Sequence, residues 1–185
     1  GEGGMILTDD DELAEVCRSL RNLCFLPEKR FVHERLGWNL RMTNLQAALG
    51  LSQLERLDDF IELKRWMGAR YTELFAELSG IQLPLERTAY AENIYWVFGL
   101  VLNESMGLDA AAVMQRLGAE GVGTRPFFYP LHQQPVLHRK GALRVDSCPV
   151  AERLYRQGFY VPSGLAINEK QVERVATVLR HTLLK

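Results

Sequence analysis

Residues 43–80 read TNLQAALGLSQLERLDDFIELKRWMGARYTELFAELSG, and the length of helix they encode decides what kind of fold this is. Thr43 and Gln46 stand at the spacing of a capping box, the hydroxyl at the N-cap and the amide at the third helical position. Leu45, Ala48, Leu49, Leu54, Leu57, Ile61, Tyr71, Leu74, Phe75 and Leu78 then recur at helical intervals, with no proline before Pro84. The pattern predicts one helix, or two joined at a bend near Gly68, of about 35 residues and roughly 50 Å at 1.5 Å per residue. Gly80 is the expected stop. Such an element is longer than a small domain is wide, so it is expected to bridge two domains or two subunits.

On the amino-terminal side, Gly1-Glu2-Gly3-Gly4 reads as a turn, with positive φ angles that either set up a strand over Met5 to Thr8 or let a ligand approach the backbone. It is neither a Walker nor a dinucleotide fingerprint, because no lysine-serine pair and no helix follow at the needed spacing. Thr8 to Glu12 place capping oxygens and carboxylates ahead of Leu13, Val16, Cys17 and Leu20, with Arg18 and Arg21 near the end: a helix whose charges suit its dipole. Asn22 to Arg41 lack sustained periodicity, and a loop of that length is expected to be functional or mobile.

Past Gly80, Ile81 is a short strand candidate and Ile94 to Leu102 a longer one. Leu108 to Glu120 read as a helix with Val113, Met114 and Leu117 on one face, and Val122 to Phe128 as a strand entering the proline-bounded loop Pro126 to Pro135. Cys148-Pro149 suits a helix start, the helix ending near Gly158; Phe159 to Val161 form another strand; Asn168 and Gln171 repeat the capping box ahead of a closing amphipathic helix. Strand–helix alternation predicts a small α/β layer domain, taken as three-stranded. The expected domains are 1–42, 43–80 and 81–185.

Composition excludes several classes. With 22 basic and 23 acidic residues the net charge is −1, so no global field draws the chain to nucleic acid or anionic lipid. No apolar run approaches the roughly 20 residues of a membrane helix, and the first residues lack the order of a signal peptide. The odd cysteine count, Cys17, Cys24 and Cys148, argues against a disulfide framework and for a reducing, cytoplasmic setting. His33, His132, His138 and His181 lie apart without partners at metal-ligand spacing, so no metal site is expected.

Two constellations carry chemistry. In Trp38-Asn39-Leu40-Arg41-Met42-Thr43 an amide and a guanidinium sit beside a helix start, where they can hold a phosphate; an Asn turn with a surface arginine is the plainer alternative. In Thr124-Arg125-Pro126-Phe127-Phe128-Tyr129-Pro130-Leu131-His132-Gln133-Gln134-Pro135, three aromatics between prolines offer a stiff platform for a base or sugar ring, with His132 and Gln134 to hydrogen-bond its substituents; packing alone would account for about half of them.

In order, GEGGMILTDDDELAEVCRSLRN, LGWNLRMTNLQAALGLSQLERLDDFI, NIYWVFGLVL, GTRPFFYPLHQQP, CPVAERLYRQGFYVPSG and NEKQVERVATVLR resemble the carboxyl-terminal half of the DegT-type sugar aminotransferases. These are pyridoxal 5′-phosphate (PLP) enzymes of aspartate-aminotransferase fold (PLP fold type I) acting on nucleotide-linked keto sugars. The nearest branch is perosamine synthase, which aminates a GDP-linked 4-keto-6-deoxy sugar for polysaccharide biosynthesis.

The resemblance implies that Asn39 reaches the PLP phosphate of a neighbouring subunit and that Arg41 lies near the nucleotide-sugar phosphates. It places Phe128, Tyr129 and His132 against substrate. It also implies that Gly1 is the first glycine of a T-G-E-G-G motif, with the Schiff-base lysine upstream of Gly1 and none of Lys29, Lys64, Lys140, Lys170 and Lys185 in its place. The chain is accordingly expected to be a fragment that binds no PLP and turns over nothing alone, and to form a homodimer or higher oligomer. Two alternatives remain: a dehydratase of the same family with histidine in place of the lysine, or a truncated self-associating module without catalysis.

Overall fold

The computed structural model describes residues 2–139 and 147–184. Gly1, Lys140 and Lys185, which entered the expectations above, lie outside the described residues. The chain divides into two compact units, Gly1–Leu57 and Asp58–Lys185.

In the first unit, α1 (Asp11–Arg21) is capped by Asp10, whose carboxylate accepts from the Leu13 amide at 3.0 Å. Asp11 and Glu12 open it and Arg18 and Arg21 close it, the charge order that the helix dipole favours. α2 (Asn44–Leu54) starts with the complete Thr43/Gln46 capping box. Two expectations fail here. Met5 to Thr8 form no strand, and Gly3 and Gly4 take neither a turn nor a positive φ. A strand exists only through a neighbour's backbone, and no described segment pairs with this one. What holds the segment is instead the Gln46 amide, which donates to the Glu2 carbonyl at 2.7 Å.

The expected 35-residue helix is two helices, α2 and α3 (Leu57–Phe75), of about 16 and 28 Å at 1.5 Å per residue. They are interrupted at Glu55–Arg56, where the Arg56 amide turns back to the Gln53 carbonyl. The helix does not bend at Gly68, which α3 passes unbroken. That glycine answers a packing need: a Cβ there would lie 2.3–2.6 Å from ring atoms of Tyr95. α3 also stops at Phe75, short of Gly80, which takes φ +85 on the way into the first strand.

The second unit is a four-stranded, wholly antiparallel sheet in the order β1 (Ile81–Gln82), β2 (Phe98–Leu102), β4 (Gly158–Val161), β3 (Arg125–Pro126). The short strand candidate at Ile81 enters the sheet as the two-residue edge β1, so the sheet has four strands where three were expected. α4 (Ala110–Ala119), α5 (Pro135–Arg139), α6 (Pro149–Gln157) and α7 (Glu169–Leu183) complete it. Strand alternation puts Phe98, Leu100 and Leu102 of β2 with Phe159 and Val161 of β4 on one face. There they join Met67, Tyr71 and Phe75 of α3, Val113 and Leu117 of α4, and Val172, Ala176 and Leu179 of α7 in one core. Tyr71 stacks on Phe75 at 5.5 Å and meets Phe98 at 5.0 Å.

The opposite face positions the candidate site. Gly99 on β2 and Gly158 on β4 leave room for the Phe127 ring, which any Cβ at either position would meet at 2.4–2.9 Å. At Gly158 a Cβ would also strike the Leu154 carbonyl, at 2.4 Å. Behind β2, the expected strand start at Ile94 is delayed to Phe98. Asn93 accepts from the Tyr95 amide at 2.7 Å and turns Tyr95 to φ +50; Lys64 Nζ then captures the carbonyls of Trp96, at 2.9 Å, and Ser163. Ser163 Oγ accepts from the Phe98 amide at 2.9 Å, so α3, β2 and the exit of β4 are tied at one point.

Candidate functional site

The sequence-predicted residues fall into two groups, one in each unit. Asn39 and Arg41 belong to the first. The residues before and after them are held from two sides: the Trp38 amide donates to the Leu20 carbonyl (2.8 Å), the Leu40 amide to Arg21 (2.9 Å), and the Leu23 amide to the Trp38 carbonyl (3.0 Å). Asn39 pairs with Asn22 as an antiparallel bridge, so the far end of the long loop is fastened onto the end of α1. Gly37 is required by this closeness, because a Cβ would fall 2.6 Å from the backbone of Leu23 and Cys24. Leu23 and Cys24 themselves take φ of 63 and 50, and His33 Nδ1 lies 2.7 Å from the Leu23 carbonyl. Arg30 covers the rings of Phe25 and Phe31. The loop expected to be functional or mobile is therefore built around fixed contacts.

Within it, Arg41 Nε donates to Asn39 Oδ1 at 3.0 Å. An Arg Nε–H can only donate, so the facing amide atom is the oxygen, and the group Asn39 has left to offer is its pair of N–H donors. Arg41 adds a guanidinium that has no acceptor. An exposed surface of donors alone, one charged, suits an anion such as a phosphate.

Phe128, Tyr129 and His132 belong to the second unit and share the loop that follows β3. The aromatics divide three ways: Phe127 packs on the glycines of the sheet, Phe128 is 79% exposed, and Tyr129 meets Tyr155 of α6 edge-on at 4.9 Å. His132, in the 3-10 turn Leu131–Gln133, is half-buried, with Nε2 2.9 Å from Oε1 of Glu152. Glu152 also accepts from the Cys148 amide at 3.4 Å, across the first turn of α6. The His132 hydrogen bond, and after it that backbone bond, hold the Glu152 carboxyl below the ordinary carboxylate range.

Glu152 escaped the reading of the sequence. The available signal was an acid in the first turn after Cys148-Pro149, but nothing in the spacing points 20 residues back to His132. Lys64 was also missed as a structural residue; burial pushes its ammonium pKa down.

The described residues fit PLP at one end of the cofactor. Asn39, with its remaining N–H donors, has the chemistry to meet the PLP phosphate, and Arg41 the chemistry to meet the phosphates of a nucleotide sugar. An amine to engage its aldehyde is another matter: Lys64 is spent on the carbonyls of Trp96 and Ser163, and Lys29 and Lys170 stand exposed.

Comparisons with known proteins converge. The model of the DegT/DnrJ/EryC1/StrS aminotransferase family matches residues 1–180. A GDP-perosamine synthase of Caulobacter vibrioides is 32% identical over 184 residues, covering 100% of this chain and 49% of that protein. A putative pyridoxal phosphate-dependent aminotransferase, EpsN of Bacillus subtilis, is 34% identical over 97% of this chain and 46% of its own length. Among solved structures, DesI in the presence of its TDP-sugar product superposes with a TM-score of 0.82 at 30% identity, over 97% of this chain and 45% of that one. The aminotransferase TlmJ from Streptoalloteichus hindustanus gives 0.81 at 26% identity, over 95% of this chain and 46% of that one.

The fold is thus that of sugar aminotransferases of PLP fold type I, in its carboxyl-terminal α/β portion. The chain belongs to the DegT/DnrJ/EryC1/StrS aminotransferase family. It spans about half the length of the curated relatives it matches.

Proposed function

We propose that this chain supplies the phosphate-holding loop and the sugar-facing small domain of an aminotransferase acting on a nucleotide-linked 4-keto-6-deoxy sugar of the perosamine type. In this reading residues 1–42 belong to the edge of the PLP-binding domain, 43–80 to the spanning segment and 81–185 to the small domain. The observation that carries it is the Arg41–Asn39 hydrogen bond, which turns a clamped loop into a donor surface for phosphate. PLP, when bound, supplies the electron sink for amine transfer. This chain's part is to orient: in this reading Asn39 reaches the PLP phosphate of a neighbouring subunit and Arg41 the nucleotide-sugar phosphates, while Phe128, Tyr129 and His132 meet substrate.

In this reading none of Lys29, Lys64 and Lys170 is the lysine that anchors PLP and carries the proton between cofactor and substrate carbons. Treatment with PLP and borohydride followed by peptide mapping tests this. The expected result is scattered labelling of surface lysines; a stoichiometric adduct at a single lysine would refute it.

Self-association belongs to the same proposal. α2 exposes Leu45, Leu49, Leu51 and Leu54, at 51–85% of their surface, which favours burial against a second copy. A monodisperse monomer in sedimentation would contradict this. No helix among the described residues is long and apolar enough to cross a membrane. We place the protein in the cytoplasm, where its three free cysteines stay reduced.

A further inference from the structure

We infer that Glu152 is the positioning residue of His132, holding the ring so that Nδ1 is left as a hydrogen-bond acceptor for a hydroxyl of a bound hexose. The inference rests on the reading that the loop after β3 faces the sugar. A carboxylate can only accept, so the contact at 2.9 Å places the proton on Nε2. In the neutral imidazole the other nitrogen then carries the lone pair. The side chain of His132 is only 14% exposed and that of Glu152 28%, so one nitrogen is consumed inside the fold and the other is what the ring has to offer a ligand.

Both partners are fixed by other contacts. Glu152 lies in the first turn of α6, where the helix dipole favours an anion. Its Oε1 also takes the Cys148 amide, and Arg156 one turn later adds an attractive charge. On the loop side, Pro130 is buried, Tyr129 meets Tyr155 of the same helix at 4.9 Å, and Phe127 is seated over Gly99 and Gly158. His132 thus sits on a segment fastened to the helix and the sheet, with its ring angle set by Glu152.

The consequence is a division of labour. Asn39 and Arg41 offer only donors, the chemistry of a phosphate. In its neutral form the His132 ring, with Nε2 bonded to Glu152, offers an acceptor at Nδ1, which repels a phosphate oxygen and accepts from a hydroxyl. Glu152 therefore bears on which part of a nucleotide sugar the second unit reads.

The test uses the whole chain with 15N-labelled histidine, the His132 signals being assigned by their loss in His132→Gln. In the parent chain, the Nε2-bound proton is expected to be protected from solvent exchange. In Glu152→Ala it exchanges at least about tenfold faster, as loss of one hydrogen bond requires. In Glu152→Gln, whose amide oxygen still accepts, protection is kept. Equal exchange in the parent and the alanine variant overturns the inference.

Should the alanine variant fail to fold, the Glu152 carboxyl carbon in His132→Gln decides. Its titration midpoint moves up toward the ordinary range if the pair exists, and a midpoint that stays put overturns the inference. Addition of GDP-mannose to the parent chain tests the underlying reading separately. A shift of the Nδ1 signal supports it. An unmoved Nδ1 beside a protected Nε2 proton removes the hexose assignment and leaves the Glu152–His132 pairing standing.

Discussion

Gly68→Ala separates a helix that bends at a glycine from one that needs the glycine for packing. In an exposed or merely bent helix interior the change is favourable by about 0.8–1 kcal/mol, because alanine loses less backbone entropy. Here the added Cβ would lie 2.3 Å from Cδ2, 2.4 Å from Cγ and 2.6 Å from Cε2 of Tyr95. Ordinary carbon contacts begin near 3.5 Å, so the ring must retreat by roughly 1 Å. It has nowhere to go. Tyr95 is 4% exposed, stacks on Phe98 at 5.9 Å, and its backbone is fixed by the Asn93 hydrogen bond. Because Cγ is among the clashing atoms, rotation about the ring axis brings no relief.

Overpacking of this kind costs about 1–3 kcal/mol, which set against the propensity gain leaves a net loss of up to about 2 kcal/mol. For a chain of this size that is a fall in Tm of up to roughly 8 °C. Thermal and urea unfolding measure it, with Tyr95→Ala and the double variant completing a cycle. The methyl that Gly68→Ala introduces should be better tolerated where the Tyr95 ring is gone, so the double variant is more stable than the sum of the two single changes allows. A Gly68→Ala chain that melts higher than its parent would refute the packing argument and restore the bend.

Thr43→Ala removes the hydroxyl that accepts from the Gln46 amide and should cost α2 about 1 kcal/mol, read as faster hydrogen exchange over its first turn. In the homodimeric enzyme proposed above, Asn39→Ala should weaken PLP retention about tenfold, as expected for one lost hydrogen bond to a charged group; unchanged affinity would remove the phosphate assignment. Glu152 predicts a pH dependence. Its folded pKa lies below the ordinary value of 4.5, so its stabilising contribution is present above that pH and disappears as pH falls through the folded value. The difference in Tm between the parent and Glu152→Gln should therefore be widest near pH 6 and close towards pH 3; a gap independent of pH would contradict an ionised Glu152 carboxylate. Lys64→Met leaves the carbonyls of Trp96 and Ser163 without their shared donor and should destabilise the second unit by roughly 1–3 kcal/mol in urea unfolding.

Local chemistry made much of this legible. The capping boxes at Thr43/Gln46 and Asn168/Gln171 form as spaced, because a cap needs only neighbours three residues apart. α1, α4, α6 and α7 appear where periodicity and start signals put them. The family was legible too, since its motifs survive in order along the chain. The Asn39–Arg41 pair was within reach for the same reason: two residues apart, the side chains meet without help from the rest of the fold.

What the sequence by itself determined is α1, α4, α6 and α7, the capping boxes of α2 and α7, and the family, all of which rest on interactions spanning a few residues or on patterns shared with relatives. Only the tertiary structure decided the role of Gly68, the pairing of Ile81–Gln82 with β2, the separate fates of Phe127, Phe128 and Tyr129, and the choice of Glu152 as partner for His132. Each of these depends on atoms brought together from 20 or more residues apart, or on whether a strand finds a neighbour. A glycine that bends and a glycine that makes room look the same in one dimension; the ring of Tyr95 tells them apart.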